Sequence, residues 1–177
     1  NKNKISQINI GKRMKYNDVF DIVEQNSLKG YIIISNSDIF FDDTLANVYT
    51  SGLSEKKMVY SQLRFEYTDS DLSNCKISGP RGDSQDTWIY HSNFNISRQQ
   101  RSIFKFKLGV PGCDNHINYV FAILGYKVHN EPYYIKSYHK SLKPPLRVSY
   151  KSHLLSYRKS TDHHIHDSIP DTDTCQD

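Results

Sequence analysis

The chain has 177 residues, of which 37% are hydrophobic and 24% charged, and its formal net charge is +4. This length suits one domain with a buried core, and no apolar stretch approaches the roughly 20 residues that span a bilayer. The lysines and arginines are scattered among acids. The charge pattern therefore argues against a nucleic-acid binder and favours a mildly basic surface or a small anionic ligand.

The compartment is predicted from what the sequence lacks. There is no signal-peptide pattern at the start, and Cys75, Cys113 and Cys175 follow neither metal-site nor disulfide spacing. We therefore expect a soluble protein without a transmembrane segment, in the cytoplasm of its host or source cell. The chain begins with Asn rather than Met, which leaves a secretory context open.

An apolar run from Tyr31 to Ile34 is followed by the polar triplet Asn36-Ser37-Asp38. The run predicts a short buried strand of a sheet that is covered on both faces. The triplet would then lie at the carboxyl end of the strand, where ligands bind in open α/β sheets. A carboxylate there can hold a divalent cation, which can in turn hold a phosphate. The alternative is an ordinary polar turn.

The segments around this strand indicate an α/β fold. Residues 1–10 predict a strand or an arm, and helical spacing of apolar residues predicts a helix over 16–25. This helix leads into the strand, as in α/β folds. Residues 44–52 predict a short helix that begins at Asp42 or Asp43.

The second half of the chain adds more strands and the most regular helix. Residues 68–87 are rich in Asp, Ser and Gly and predict a long loop of the kind that often forms a lid. We predict one domain over 1–150 and a polar, disordered tail over 151–177. The remaining predicted elements are strands at 57–67, 88–90, 126–128 and 133–138, an extended segment at 103–110, and a helix at 114–124.

Three segments, taken in order, resemble one enzyme class. They read "SNSDIFFD", "SQDTWIY" and "PGCDNHINYVFAILGYKVHNEPYYIKSYH". Together they resemble the GT-A nucleotide-sugar glycosyltransferases, and more narrowly the small glycosyltransferase-like domains of large DNA viruses and microbes. The resemblance runs from about Gly11 to Lys140. It implies an α/β fold with a GT-A-like mixed sheet flanked by helices. The implied reaction is metal-dependent transfer of a sugar from a nucleotide-diphosphate donor to a hydroxyl of a glycan or glycoprotein.

The resemblance implies a metal site. In GT-A enzymes a strand ends in Asp-x-Asp, whose last carboxylate binds Mn²⁺ or Mg²⁺ bridging the donor diphosphate. By this resemblance Asp38 is the metal ligand, while Asn36 replaces the first acid and contacts ribose or a metal-bound water. His139 matches a C-terminal histidine that ligates the metal or diphosphate in several GT-A families. Without the resemblance, a histidine after a strand is more often a surface residue.

The resemblance also implies a catalytic base. Asp114, at the start of the predicted helix, would take the proton from the acceptor hydroxyl in an inverting displacement; its alternative role is to cap that helix. Asp86 is the second candidate base, or a group that holds sugar hydroxyls while Trp88 stacks on the sugar. The alternative for Trp88 is core packing.

Two arginines are candidate phosphate ligands. Arg13 and Arg64 lie near the predicted carboxyl edge of the sheet, where a guanidinium can pair with phosphate, although a solvated surface arginine is the commoner case.

The resemblance leaves the nucleotide-base site incomplete. GT-A domains carry an earlier strand–helix–strand unit for the base, whereas little precedes Gly11 here. Either upstream residues are missing, or residues 1–10 are a remnant and the first strands are lacking. The alternative function is therefore a non-catalytic glycan-binding or scaffold domain on a degenerate transferase fold. Only the enzyme requires Asp38, His139 and a candidate base to converge on one cleft.

Overall fold

The computed structural model describes residues 6–68, 72, 74–79 and 82–140. The predicted tail at 151–177 lies outside the described residues. The helices are α1 (Tyr16–Gln25), α2 (Arg98–Arg101) and α3 (Cys113–Ile123), with 3-10 helices at Asp43–Thr50 and Ser102–Phe104. The strands are β1 (Tyr31–Ser35), β2 (Ile39–Phe41), β3 (Met58–Gln62), β4 (Phe65–Tyr67), β5 (Lys76–Ile77), β6 (Thr87–His91), β7 (Lys127–His129) and β8 (Ser137–Lys140).

The strands form two four-stranded mixed sheets, with the orders β1-β6-β3-β7 and β2-β8-β4-β5. In the first sheet, β6 is antiparallel to both β1 and β3, while β7 is parallel to β3. In the second, β8 is antiparallel to β2 and parallel to β4. The fold is therefore mixed α/β, as predicted, and its GT-A character stays a prediction.

Helices α1 and α3 supply the main core against the first sheet. The apolar positions of α1 recur at helical spacing, so Tyr16 and Phe20 face inward together. They join Phe121 of α3 and Trp88 of β6 in one buried cluster. Edge-to-face aromatic contacts strengthen it, including Tyr16 with Trp88 at a centroid distance of 5.4 Å. This packing holds in place the first sheet, at one edge of which the candidate site lies.

Strand β1 differs from the prediction of a strand covered on both faces. Among the described residues it lies at the edge of the first sheet. Ile34 is buried, whereas the neighbouring Ile33 is 37% exposed. Successive side chains point to opposite faces of a strand. Ile32 and Ile34 pack on the main core, while on the other face Tyr31 packs on a second buried cluster and Ile33 is left exposed. An apolar run alone does not distinguish an edge strand from a central one.

The predicted extended segment at 103–110 is only partly confirmed: its first two residues belong to a 3-10 helix, whereas Lys107 forms an antiparallel bridge with Lys15. The chain makes a helical turn at Ser97, whose hydroxyl accepts a hydrogen bond from the Gln100 amide and forms a capping box. Helix α2 continues into the 3-10 helix, which buries Phe104 against Phe20 at a centroid distance of 4.7 Å. The alternating phenylalanines of this segment imitate a strand pattern, but the cap and the core contact decide the local structure.

Two other predicted strands are shorter than expected. The segment 57–67 divides into β3 and β4, which belong to different sheets. The segment 133–138 begins with a turn in which the Tyr134 and Ile135 amides donate to the Glu131 carbonyl, and β8 starts only at Ser137. The loop at 68–87 contains the short strand β5. Asp42 caps the helix that follows it, as predicted, by accepting from the Thr44 amide, although that helix is 3-10.

The cysteines also differ from the prediction. Cys75 is disulfide-bonded, although the cysteine spacing showed no disulfide framework, because sequence spacing does not reveal which thiols meet in space. Cys113 is a buried free thiol. Among the described residues, no helix has both the length and the apolar character that a bilayer crossing requires.

Candidate functional site

The site is built where β1 and β3 end and β6 begins. Ser35 of β1 and Gln62 of β3 both pair with Thr87, the first residue of β6. Asp86 therefore lies directly beside the residue that follows β1, and the Asn36 amide donates to the Asp86 carbonyl at 3.0 Å. The predicted strand ends thus bring Asn36 and Asp86 together by backbone pairing alone.

The second sheet brings His139 to the same place. His139 pairs with Ile39 of β2 and with Glu66 of β4, so it lies one residue from Asp38 in the register. Its Nε2 lies 3.3 Å from Asp38 Oδ2. Its Nδ1 lies 2.7 Å from Glu66 Oε2. The imidazole therefore sits between two carboxylates.

Arg64 joins the two halves of the site. Its Nε donates to Glu66 Oε1 at 2.7 Å, and its Nη1 donates to Asp86 Oδ2. The other oxygen of Asp86, Oδ1, accepts from Asn36 Nδ2 at 2.6 Å. One continuous set of polar contacts results, which we call the Arg64 network. Its members are Asn36, Asp38, Arg64, Glu66, Asp86 and His139.

Burial and charge act against each other at Arg64 and Asp86. Burial lowers the pKa of Arg64, but the carboxylates of Asp86 and Glu66 more than offset this, so the pKa is raised and the guanidinium stays charged. Burial raises the pKa of Asp86, and Arg64 and Asn36 offset only part of that rise. With both oxygens engaged, Asp86 is an anchor of the network and is poorly placed to accept a substrate proton.

Arg13 borders the network through a glycine. Its Nε and Nη2 donate to the carbonyls of Leu108 and Gly109. Gly109 has φ of +67°, and a Cβ there would lie 3.4 Å from Arg13 Nη2 and 3.6 Å from Asn36 Oδ1. Arg13 and Asn36 therefore flank the same backbone position. Arg13 is exposed, and these bonds use two of its five N–H groups.

Asp114 lies in the first turn of α3, near enough to Asp86 for their carboxylates to interact electrostatically. The residue that caps this helix is Gly112, with φ of +80°, so the alternative role of Asp114 as the N-cap was wrong. Its Oδ1 accepts from the Asn115 amide at 3.0 Å. Burial raises the pKa of Asp114, and the nearby carboxylates of Asp83 and Asp86 raise it further. Asp114 is therefore a partly buried acid near other acids, and carboxyl groups with perturbed pKa values are frequent at catalytic sites.

Trp88 does not fit the role of a sugar platform. Its side chain is 0% exposed, and its Nε1 donates to Asn118 Oδ1 at 3.0 Å. Asn118 in turn donates to Gln85 and accepts from Ser61. A ring without accessible surface cannot stack on a ligand in this conformation. The core-packing alternative for Trp88 is the one that the structure supports.

Glu66 was not predicted from the sequence, although it contacts two of the predicted residues, Arg64 and His139. The available signal was the spacing Arg64-Phe65-Glu66, because residues two apart in a strand share a face. Phe65 is buried between them. Two charged residues flanking a buried aromatic residue in a strand indicate a paired, partly enclosed position.

The described residues hold no group of three or more His, Cys, Asp or Glu side chains placed to bind one metal ion. Asp38 and His139 nevertheless fit as two ligands of one cation. Two ligands at right angles on Mg²⁺, with bonds of about 2.1 Å, lie about 3.0 Å apart, close to the observed 3.3 Å. Mg²⁺ is commonly held by one or two protein groups, with water and substrate phosphates completing its shell.

Two surface cavities lie elsewhere, around Glu24 and Arg101. They measure about 310 and 390 Å³, and none of their lining residues belongs to the Arg64 network. Arg101 is paired there with Asp21 and Glu24, and it also donates to the Ile96 carbonyl. Because these charged groups already pair with each other, the cavities are less suited to bind a charged ligand than the Arg64 network.

Comparisons with known proteins add no family to this description. No family model, no curated protein and no solved structure matches the chain.

Proposed function

We propose that the chain is a metal-dependent glycosyltransferase that moves a sugar from a nucleotide-diphosphate donor to an acceptor hydroxyl. The observation that carries this proposal is the approach of His139 Nε2 to Asp38 Oδ2 at 3.3 Å, at the end of β1. The sequence resemblance assigns these two residues to the metal, and they lie more than 100 positions apart in the chain. Their meeting is not a consequence of local sequence.

The charges around this pair favour a cation. An ionised carboxylate is only an acceptor. When Glu66 holds the proton of Nδ1, the bare Nε2 and the Asp38 oxygen are two acceptors that face each other. A positive charge between the two atoms removes that repulsion, either as a proton on Nε2, which makes the contact an ion pair, or as a metal ion. Asp38 has a 61% exposed side chain, so it can reach a ligand from the solvent side. A bound Mn²⁺ or Mg²⁺ would offset the charge that builds on the leaving diphosphate.

Other residues of the site have roles in this proposal. Arg13, exposed beside Asn36, supplies N–H groups that hydrogen-bond the phosphates or ribose of the nucleotide sugar. Arg64 holds Asp86 and Glu66 in place rather than reaching the donor. Asp114 accepts the proton of the attacking hydroxyl, because its raised pKa makes it a better base than an ordinary aspartate. A base with no nucleophile corresponds to a single, inverting displacement.

A second function, a non-catalytic glycan-binding or scaffold domain, is favoured by one specific observation. Arg64 is bonded to Asp86 and Glu66, so this predicted phosphate ligand is already occupied. A domain that had lost catalysis would keep such an internal network for stability. The two functions differ in whether a nucleotide diphosphate binds with a cation.

A panel of nucleotide sugars with and without Mn²⁺ tests the proposal. A donor present at 100 times its dissociation constant stabilises the fold by about 2.7 kcal/mol, or about 5–10 °C for a chain of this size. We expect one donor to give such a shift with Mn²⁺ and to release its nucleotide when an acceptor is added. Asp38→Asn should lose the metal-dependent shift, whereas the matched variant Glu24→Gln should keep it. If no donor shifts the melting temperature, the glycosyltransferase proposal fails.

A further inference from the structure

The Glu66 side chain is held by two protein contacts, one to each of its carboxylate oxygens. Its position in β4 pairs with His139 in β8. One of its oxygens, Oε1, accepts from Arg64 Nε at 2.7 Å, and the other, Oε2, lies 2.7 Å from His139 Nδ1. Both contacts have the length of charge-assisted hydrogen bonds. The side chain is 27% exposed, so it is a partly enclosed acid with both oxygens engaged.

The two carboxylates beside His139 compete for the proton of a neutral imidazole. That ring carries one N–H, and its other nitrogen is an acceptor. The Glu66 contact is 2.7 Å, while the Asp38 contact is 3.3 Å to a side chain that is 61% exposed. The shorter and more enclosed contact binds the proton more strongly. The neutral ring therefore carries its proton on Nδ1 and leaves the Nε2 lone pair directed at Asp38.

We propose that Glu66 is a positioning residue that fixes the His139 ring and its tautomer, so that a bare Nε2 faces Asp38. The inference rests on the proposed function for its purpose, because a cation on Asp38 needs that lone pair. Histidines that bind metals usually donate their other ring N–H to a carboxylate or carbonyl. Arg64 contributes to this positioning, since it hydrogen-bonds the other oxygen of Glu66.

Glu66→Gln tests whether residue 66 sets the His139 tautomer, because an amide has only one acceptor oxygen. Arg64 Nε is a donor and requires that oxygen. The amide NH₂ is then directed at His139 Nδ1, which becomes an acceptor. The ring proton moves to Nε2, and the lone pair that faced Asp38 is lost. Glu66→Gln thus changes the side-chain volume very little but reverses the tautomer of His139.

Two measurements follow from this, and only one of them requires a metal. The first is the ¹⁵N spectrum of histidine-labelled, metal-free protein at a pH where the ring is neutral, with the His139→Gln variant to assign its signals. We expect the Nδ1–H tautomer in the parent protein and the Nε2–H tautomer in Glu66→Gln. The second is the dissociation constant of Mn²⁺, which we expect to rise about 10–100-fold in Glu66→Gln and to stay unchanged in Glu24→Gln, another carboxylate that accepts from arginines.

The outcomes separate this inference from the proposed function. An Nε2–H tautomer in the parent protein, or an unchanged Mn²⁺ affinity in Glu66→Gln, overturns the role of Glu66 even if the enzyme is active. The expected tautomers in a protein that binds no Mn²⁺ support the role of Glu66 and overturn the metal-dependent function. If Glu66→Gln is poorly folded, Glu66→Asp, which keeps both acceptor oxygens, should retain the Nδ1–H tautomer, and its loss there would contradict the inference.

Discussion

Replacing Arg64 with Met removes the cation that pairs with the carboxylates of Asp86 and Glu66. Removing one partner of a buried ion pair costs about 3–5 kcal/mol, whereas exposed pairs contribute about 0–1 kcal/mol. The side chains of Arg64 and Asp86 are 18% and 16% exposed, between these limits. We therefore expect Arg64→Met to lower the free energy of unfolding by about 2 kcal/mol, or the melting temperature by about 4–8 °C.

The pH dependence of this deficit gives a sharper test than its size. Burial already raises the pKa of Asp86, and Arg64 counteracts part of the rise. Without the guanidinium the folded-state pKa rises further above the unfolded value of about 3.9. The folded variant then binds a proton that the unfolded chain has released. Its deficit should therefore be small near about pH 4 and should grow as the pH rises through the shifted pKa toward neutrality.

Urea unfolding of the parent protein and the variant measures this difference directly. Trp88 is the single tryptophan and is fully buried, so its fluorescence reports the loss of the core. Arg98→Met is the matched control, because Arg98 also pairs with a glutamate but its side chain is 84% exposed; it should change nothing measurable. A deficit that equals that of the control, or that is the same at acid and neutral pH, would refute the reasoning.

Three further changes test other parts of the site. Trp88→Phe removes the N–H that bonds to Asn118, so it should lower the free energy of unfolding in urea by about 1–3 kcal/mol without changing the affinity for the nucleotide sugar. Weaker binding of the nucleotide sugar at unchanged stability would restore the sugar-platform role. Asp114→Asn should lower the turnover number about 10²–10⁴-fold while the donor-induced thermal shift persists. Since burial raises the pKa of Asp114, the activity of the parent enzyme should fall with decreasing pH at a higher pH than an ordinary aspartate implies, and a flat profile would exclude Asp114 as the base. Gly109→Ala places a Cβ at a φ of +67° beside Arg13 and Asn36, so it should weaken donor binding together with stability; an unchanged donor affinity would separate Arg13 from the site.

Local pattern was sufficient to predict α1, α3 and the strand that leads to the site. The inward positions of α1 and the polar stop after β1 are periodic or compositional features, which a sequence displays directly. The resemblance singled out Asp38 and His139, and the structure places them 3.3 Å apart. Their assignment to a metal stays a prediction.

Pairing between distant segments was beyond the reach of the sequence. The edge position of β1 depends on which strands pair with it, and its apolar run is equally typical of a central strand. The pairing of Arg64 with Asp86 joins residues 22 positions apart, and it depends on the meeting of the segment after β3 with the start of β6. The burial of Trp88 likewise follows from the packing of α1 and α3, which no short motif encodes.

The central claim is that one cation binds between Asp38 and His139. The most direct measurement is the broadening of histidine ring signals by substoichiometric Mn²⁺ in the presence of a nucleoside diphosphate. The sequence has eight histidines, and the His139 signals should broaden first in the parent protein and stay sharp in Asp38→Asn. Sharp His139 signals while another histidine broadens, or the same broadening in Asp38→Asn, would contradict the account.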